Sequence, residues 1–475
     1  MMTTETRPRG TVIDFSRPGG NGVIRPLHGV NNGPVTFGGL VDVSDYYREV
    51  GIPWARLHDT NWPHPREVDI PQIFRQENAD PDDPASYDFA RTDEYLRSIL
   101  ATGAKIVYRL GTSIEHTKTK YDTHPPKDFA RWARVCWGIV RHYNHGWANG
   151  FHHGITHWEI WNEPDLGDRM WSGTFEDYLR LYAAASATLK ELDPTLKIGG
   201  YAACSLGTNG ELAARFMAYC REHRLPLDFF SWHTYGAELA PFGQNARLVR
   251  RLLDQHGFHS TESHLNEWNR NIGPWGPGHE WERRAVAEDL KNEVGASYAA
   301  SVLIGLQDAS VDVANYYDGA PSSLLCGLFD VYGVPQKTFS AFRAFKTMLS
   351  YPERVQVELG TESGVSCLAA IDRAKGNAAV LIAKYGGQRA TNRFELRGLP
   401  AGLAVREIRI LDRDRNLENI RLDYAATKSP MGLDSWSFGF GIPMLADDAS
   451  AAPAVVIDLA EHAVALVLLD EAAKS

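Results

Sequence analysis

Residues 157–165 read HWEIWNEPD, a run that sets two glutamates, Glu159 and Glu163, among large apolar side chains and then stops at a proline. Apolar and charged positions alternate, and Pro164 follows at once, so the run reads as a short strand that ends in a turn. A carboxylate buried in such a strand needs a cationic partner or a chemical use. Glu159, in mid-strand and two alternations below Glu163, is read as the partner of a basic residue. Glu163, at the strand end, is read as the reagent.

Outward from this strand the pattern repeats. Apolar segments at 26–33, 54–59, 105–111, 157–163, 196–201, 228–236, 263–269 and 313–319 are separated by amphipathic stretches such as 88–102, 127–144, 174–192 and 282–306. In 174–192 the apolar residues Phe175, Tyr178, Leu179, Tyr182, Leu189 and Leu192 recur at helical spacing behind a candidate Thr174 cap. Eight alternations of strand and helix predict a (β/α)8 TIM barrel over residues 25–350. The rival, a doubly wound open sheet, calls for a glycine-rich phosphate loop after the first strand, and GVNNGP is not one. After residue 350 helical periodicity gives way to short alternating runs with turn residues between them. Residues 351–475 are therefore expected to form a smaller antiparallel β-sandwich, with the lone N-terminal strand 11–16 as a candidate to join it.

Composition narrows the function. The 475 residues exceed one ordinary core, and 44% hydrophobic with 23% charged residues is usual for a soluble globular protein. With 49 basic against 59 acidic residues and no basic run, nucleic acid is not an expected partner. No stretch is long and apolar enough for a membrane span, and the N-terminus carries no apolar leader core. Five cysteines without a C-x-x-C pair point to reduced thiols and a cytoplasmic setting. Thirteen tryptophans suit stacking on sugar faces as well as core packing.

In a barrel of this type chemistry sits at the C-terminal ends of the strands. Those ends hold Asn32, His58, Asp59, Glu163, His233, Tyr235, Glu267, Tyr316, Tyr317 and Asp318. Two of them form like motifs: Asn162-Glu163 closes the fourth strand beside Trp161, and Asn266-Glu267 closes the seventh beside Trp268. Two carboxylates facing one pocket are what glycosidic bond cleavage needs, one to protonate the leaving oxygen and the other to meet the developing oxocarbenium ion. Arg56 and Tyr235 are expected around Glu267, where each would favour the ionised carboxylate. Trp275, in GPWGPGHEW (273–281), is a candidate aromatic lid. His152, His153 and His157 do not place three ligands on one predicted rim, so no metal site and no cofactor are expected. Nor does the chain carry a G-x-S-x-G elbow or a cysteine-histidine constellation.

The run WEIWNEPD, followed by MWSGTFEDYLRLY, resembles glycoside hydrolase family 39, and the likeness extends over RLHD, PPKDFARWARVCWGIVRHYN, FFSWHTYG, NEWN and GLFDVYGVPQKTFSAFRAFK. The resemblance implies a retaining (β/α)8 hydrolase with a smaller β-sandwich. It further implies that Glu163 is the general acid/base, Glu267 the nucleophile, and Asn162 the holder of a hydroxyl next to the reacting carbon. His233 and Tyr235 become neighbours of the nucleophile, and His58 a contact to sugar hydroxyls. Asn266 stands where the resemblance leads one to expect threonine, and NYYDG where the wider clan commonly has a tryptophan platform. The expected activity is exo-cleavage of terminal pentosyl residues, β-D-xylosidase-like, from short oligosaccharides or small glycosides. An α-L-arabinofuranosidase is the alternative enzyme, and a carbohydrate-binding protein on a hydrolase barrel the alternative class. Both are compatible with a monomer or a homo-oligomer.

Overall fold

The computed structural model describes residues 10–36, 39–60, 66–115, 117–270, 273–274, 278–420, 444–445 and 453–471. By contacts, the described residues within 27–274 and 309–334 form one compact unit, and those within 1–26, 275–308 and 335–475 form another.

The first unit holds the barrel. Strands Gly29–Asn31, Trp54–Leu57, Lys105–Leu110, His157–Ile160, Lys197–Ala203, Phe229–Tyr235, Glu262–Asn269 and Val313–Tyr316 close into a ring, each parallel to its neighbour in sequence and the last parallel to the first. The expected eight-stranded barrel is thus present. Its fourth and seventh strands have the fifth and sixth between them on one side and four strands on the other. Helices Ala90–Leu100, Phe129–His145, Phe175–Leu192, Leu206–Glu222 and Ala240–Gln255 separate the strands in sequence. Helix Phe175–Leu192 begins where the sequence predicts, because the Thr174 and Asp177 side chains cap each other's backbone N–H groups in a reciprocal box.

The second unit is built on one sheet. Among the described residues it has ten strands, and Thr11–Pro18 lies inside it, antiparallel to Glu353–Glu358 and parallel to Ala390–Arg397. The sheet curls on itself, so that Ile13, Ile371, Val380, Phe394, Ile457 and Val467 from different strands meet in one apolar cluster. The expected antiparallel domain is therefore a single curled sheet with one parallel pair. Strand Asn377–Tyr385 is buried on both faces, because helix Glu293–Gly305 packs against the face away from that cluster. That helix is apolar all round for the same reason, with helix Lys337–Met348 on it as well.

One expected element divides. The stretch 282–306 is two helices, Glu280–Asp289 and Glu293–Gly305, because the Asn292 side chain accepts from the Val294 N–H (2.8 Å) and starts a new helix there. Among the described residues no helix is long and apolar enough to cross a membrane. All five cysteines are free thiols.

Thr174→Ala removes the hydroxyl that accepts from the Asp177 N–H, leaving only the Asp177 carboxylate on the Thr174 N–H, and is expected to cost about 1 kcal/mol, read as a lower urea midpoint with an unchanged slope.

Candidate active site

Arg56, near the end of the second strand, is buried in the barrel. Its Nε donates to Glu159 Oε2 (2.7 Å), its Nη1 to Glu267 Oε1 (2.6 Å) and Asn31 Oδ1 (3.2 Å), and its Nη2 to Asn162 Oδ1 (2.5 Å). Nη2 also lies 2.6 Å from Glu159 Oε2. Four guanidinium N–H groups thereby donate hydrogen bonds, and the Nη2 approach to Glu159 adds an ion-pair contact. Glu159 completes its own set by accepting from Asn266 Nδ2 (2.5 Å). The mid-strand glutamate is the buried partner of a basic residue, as its position in the sequence implies.

Glu163 and Glu267 reach one volume. A carboxylate oxygen from each and a ring nitrogen of His233 lie within 4.8 Å of one another. His233 Nδ1 is 2.7 Å from Glu163 Oε1 and 3.5 Å from Glu267 Oε2. The Tyr235 hydroxyl donates to Glu267 Oε2 (2.6 Å), so each oxygen of Glu267 has a strong donor.

The environments of the two acids differ. Burial pushes the Glu163 carboxyl up to about 8, and the neighbouring Asp165 and Asp59 push the same way. Burial raises Glu267 too, but His233, Arg56 and the Tyr235 hydroxyl oppose it. Burial holds His58 well below, and His233 below, the ordinary imidazole range, so both rings favour the neutral form.

The remaining predicted residues fall on the same rim. The Tyr317 hydroxyl donates to Asp59 Oδ2 (3.1 Å), and His58 Nε2 lies 3.2 Å from Asp59 Oδ1 and 4.0 Å from Glu267 Oε1. Asn32 is one step behind: its Oδ1 accepts from the His58 N–H (3.2 Å) and its Nδ2 donates to Asp318 Oδ2 (3.3 Å). Burial raises Asp318 to about 7. Trp275 lies outside the described residues. Trp161 and Trp268, which flank the Asn-Glu pairs, are wall residues: Trp161 packs edge-on to Trp171 (5.0 Å) and Trp268 edge-on to Tyr316 (5.1 Å).

Sequence reasoning missed Asn31 and Asp165. Asn31 adjoins a predicted site residue at a strand end, and Asp165 sits two residues beyond Glu163, so proximity alone was the available signal. Strand ends here are also strained: Asn32, Asp59, Trp161, Glu163 and Ala202 have φ of 67°, 51°, 69°, 43° and 56°. Non-glycine residues in this region cost about 1–3 kcal/mol each and gather at functional sites.

Two outcomes follow from this arrangement. Arg56→Met leaves Glu159 buried without its cation and is expected to cost at least about 3 kcal/mol in urea unfolding. For Glu163 the folded state favours the neutral acid, whereas the unfolded chain ionises near the ordinary value of 4.5. The cost of keeping it buried therefore appears as pH rises above that value and is complete above the folded value of about 8. Glu163→Gln should gain thermal stability over the parent across this window and none below it, in a melting series against pH.

Comparison with known proteins agrees with this geometry. A family profile described as "Glycosyl hydrolases family 39" matches residues 46–348, well over half of the chain. A beta-xylosidase of Caldicellulosiruptor saccharolyticus is 25% identical over 357 residues, 68% of this chain and 67% of that protein. A beta-xylosidase of Geobacillus stearothermophilus is 26% identical over 309 residues, covering 58% of this chain and 59% of that protein, so the likeness spans about three-fifths of its length. The fold matches a crystal structure of a glucosidase from Croceicoccus marinus with a TM-score of 0.75, 24% identity, and coverage of 98% of this chain and 99% of that one. With a closed eight-stranded barrel and a profile match over residues 46–348, the chain belongs to glycosyl hydrolase family 39 and is a retaining glycoside hydrolase.

Proposed function

We propose that this enzyme is an exo-acting β-D-xylosidase that removes terminal pentosyl residues from short oligosaccharides by double displacement. In the first step Glu267 attacks the anomeric carbon while Glu163 passes its proton to the glycosidic oxygen, forming a glycosyl ester and releasing the aglycone. In the second, Glu163 takes a proton from water, which attacks the same carbon and frees Glu267. The observation that carries this reading is the approach of the two carboxylates to within 4.8 Å, with donors on both oxygens of one and burial raising the other to about 8. That spacing suits direct attack rather than an intervening water.

His233 supports the same cycle. As Glu267 loses its charge to the ester, Glu163 gains one, and His233 Nδ1 stands 2.7 Å from the second and 3.5 Å from the first. Asn162 supports the placing of substrate: its Oδ1 is held by Arg56, and its buried Nδ2 has no protein partner, which fits a donor to the hydroxyl beside the reacting carbon. His58, Asp59 and Tyr317 form the facing wall, with Asn32 behind them. The pentoside choice rests on the two beta-xylosidase relatives. In this reading residues 25–350 are the catalytic part of the chain, and 351–475 with the N-terminal strand are accessory to it. The free cysteines favour work in a reducing compartment.

A panel of nitrophenyl glycosides tests the substrate: the β-D-xyloside should give the highest kcat/KM, and a preference for the β-D-glucoside or the α-L-arabinofuranoside refutes the pentoside or the ring assignment. Glu267→Ala should lower kcat by at least about a thousandfold, and azide should restore turnover with inverted product. Glu163→Ala should keep activity only on substrates with good leaving groups. With Glu163 as the acid, kcat/KM of the parent enzyme should fall on the alkaline side around pH 8, where this carboxyl loses its proton.

A further inference from the structure

The two strands that carry Glu163 and Glu267 at their C-terminal ends carry a second titratable cluster at their N-terminal ends. His157 is the first residue of the fourth strand, and Glu262 and His264 open the seventh. One ligand atom from each lies within 4.8 Å of the others. Glu262 Oε2 is 3.1 Å from His157 Nε2 and 2.9 Å from His264 Nε2. The cluster borders a bowl of about 620 Å³ under the barrel, which Trp54, Lys105, Thr156 and Lys197 also line. Nothing in the hydrolytic cycle uses it.

We propose that His157, Glu262 and His264 form a three-ligand site for a divalent first-row transition metal, zinc foremost, with its fourth position open to the bowl. Two imidazoles and one carboxylate are a donor set that zinc takes with a solvent ligand completing the tetrahedron. The atoms are already near the mutual separation that such a coordination sphere requires, and they sit on rigid strands rather than on loops. His157 is oriented from behind, its Nδ1 lying 2.8 Å from Thr156 Oγ1, so that Nε2 faces the cluster. Lys197 occupies Oε1 of Glu262 and leaves Oε2 to the imidazoles. This lysine and the unpartnered Nδ1 of His264 limit the affinity. The metal would tie the fourth strand to the seventh at the end of the barrel opposite the carboxylate pair.

The test uses the full chain, stripped with chelator and then titrated with zinc by equilibrium dialysis and elemental analysis. One equivalent should bind, the melting temperature should rise by a few degrees through mass action, and cobalt in place of zinc should give visible bands of a low-coordinate nitrogen and oxygen site. Glu262→Gln should weaken binding at least about tenfold without changing the rate of glycoside hydrolysis, and Lys197→Met, which frees Glu262, should tighten it. Absence of bound zinc in both the parent and Lys197→Met overturns the proposal. So does binding that survives Glu262→Gln but is lost in Glu163→Gln, since the ion would then sit between the catalytic carboxylates and His233.

Discussion

The buried guanidinium of Arg56 is the constraint on which the site depends. A cation with no solvent exposure persists only when its charge and all its N–H groups are met. Here they are met by Glu159 from the fourth strand, Glu267 from the seventh, Asn162 beyond the fourth and Asn31 from the first. Four residues from three separate parts of the chain are thus fixed to one planar group. The geometry of a guanidinium is rigid, so the carboxylate of Glu267 and the amide of Asn162 inherit its orientation.

Two glutamates with the same covalent chemistry come out of this arrangement in different environments. Glu267 sits in a ring of donors, and each of its oxygens is held at 2.6 Å. Glu163 faces acidic neighbours in a buried setting and keeps its proton to about pH 8. Environment, not identity, separates the two carboxyl groups: burial raises both, and only Glu267 has cationic and hydroxyl neighbours on each oxygen to oppose it. The strained φ values at Trp161 and Glu163 belong to the same design, because a strand that left the barrel in regular geometry would carry the fourth-strand carboxylate elsewhere.

The barrel was legible because its strands are short apolar runs at even spacing, and because each helix must bury one stripe. Thr174 announced its helix by a cap that is local in sequence. Where the sequence misled, the deciding contacts were local too but subtle, as in the Asn292 cap that divides an apolar stretch into two helices. Long-range closure was harder to foresee. The second domain read as alternating strands, yet whether they form two sheets or one curled sheet depends on which edges pair, and the strand Thr11–Pro18 meets its parallel partner nearly 400 residues away.

For the site, the sequence by itself determined that Glu163 and Glu267 lie near the C-terminal ends of two strands, that each follows an asparagine, and that a mid-strand Glu159 suits pairing with a basic residue. These are statements about neighbours along the chain, which periodicity and strand-end position suffice to support. Only the tertiary structure decided that one arginine joins Glu159, Glu267 and Asn162, that His233 stands between the two acids, and that Trp161 and Trp268 pack edge-on to Trp171 and Tyr316. The physical reason is that hydrogen-bond direction and desolvation depend on side chains drawn from distant strands. Neither exists until the barrel closes.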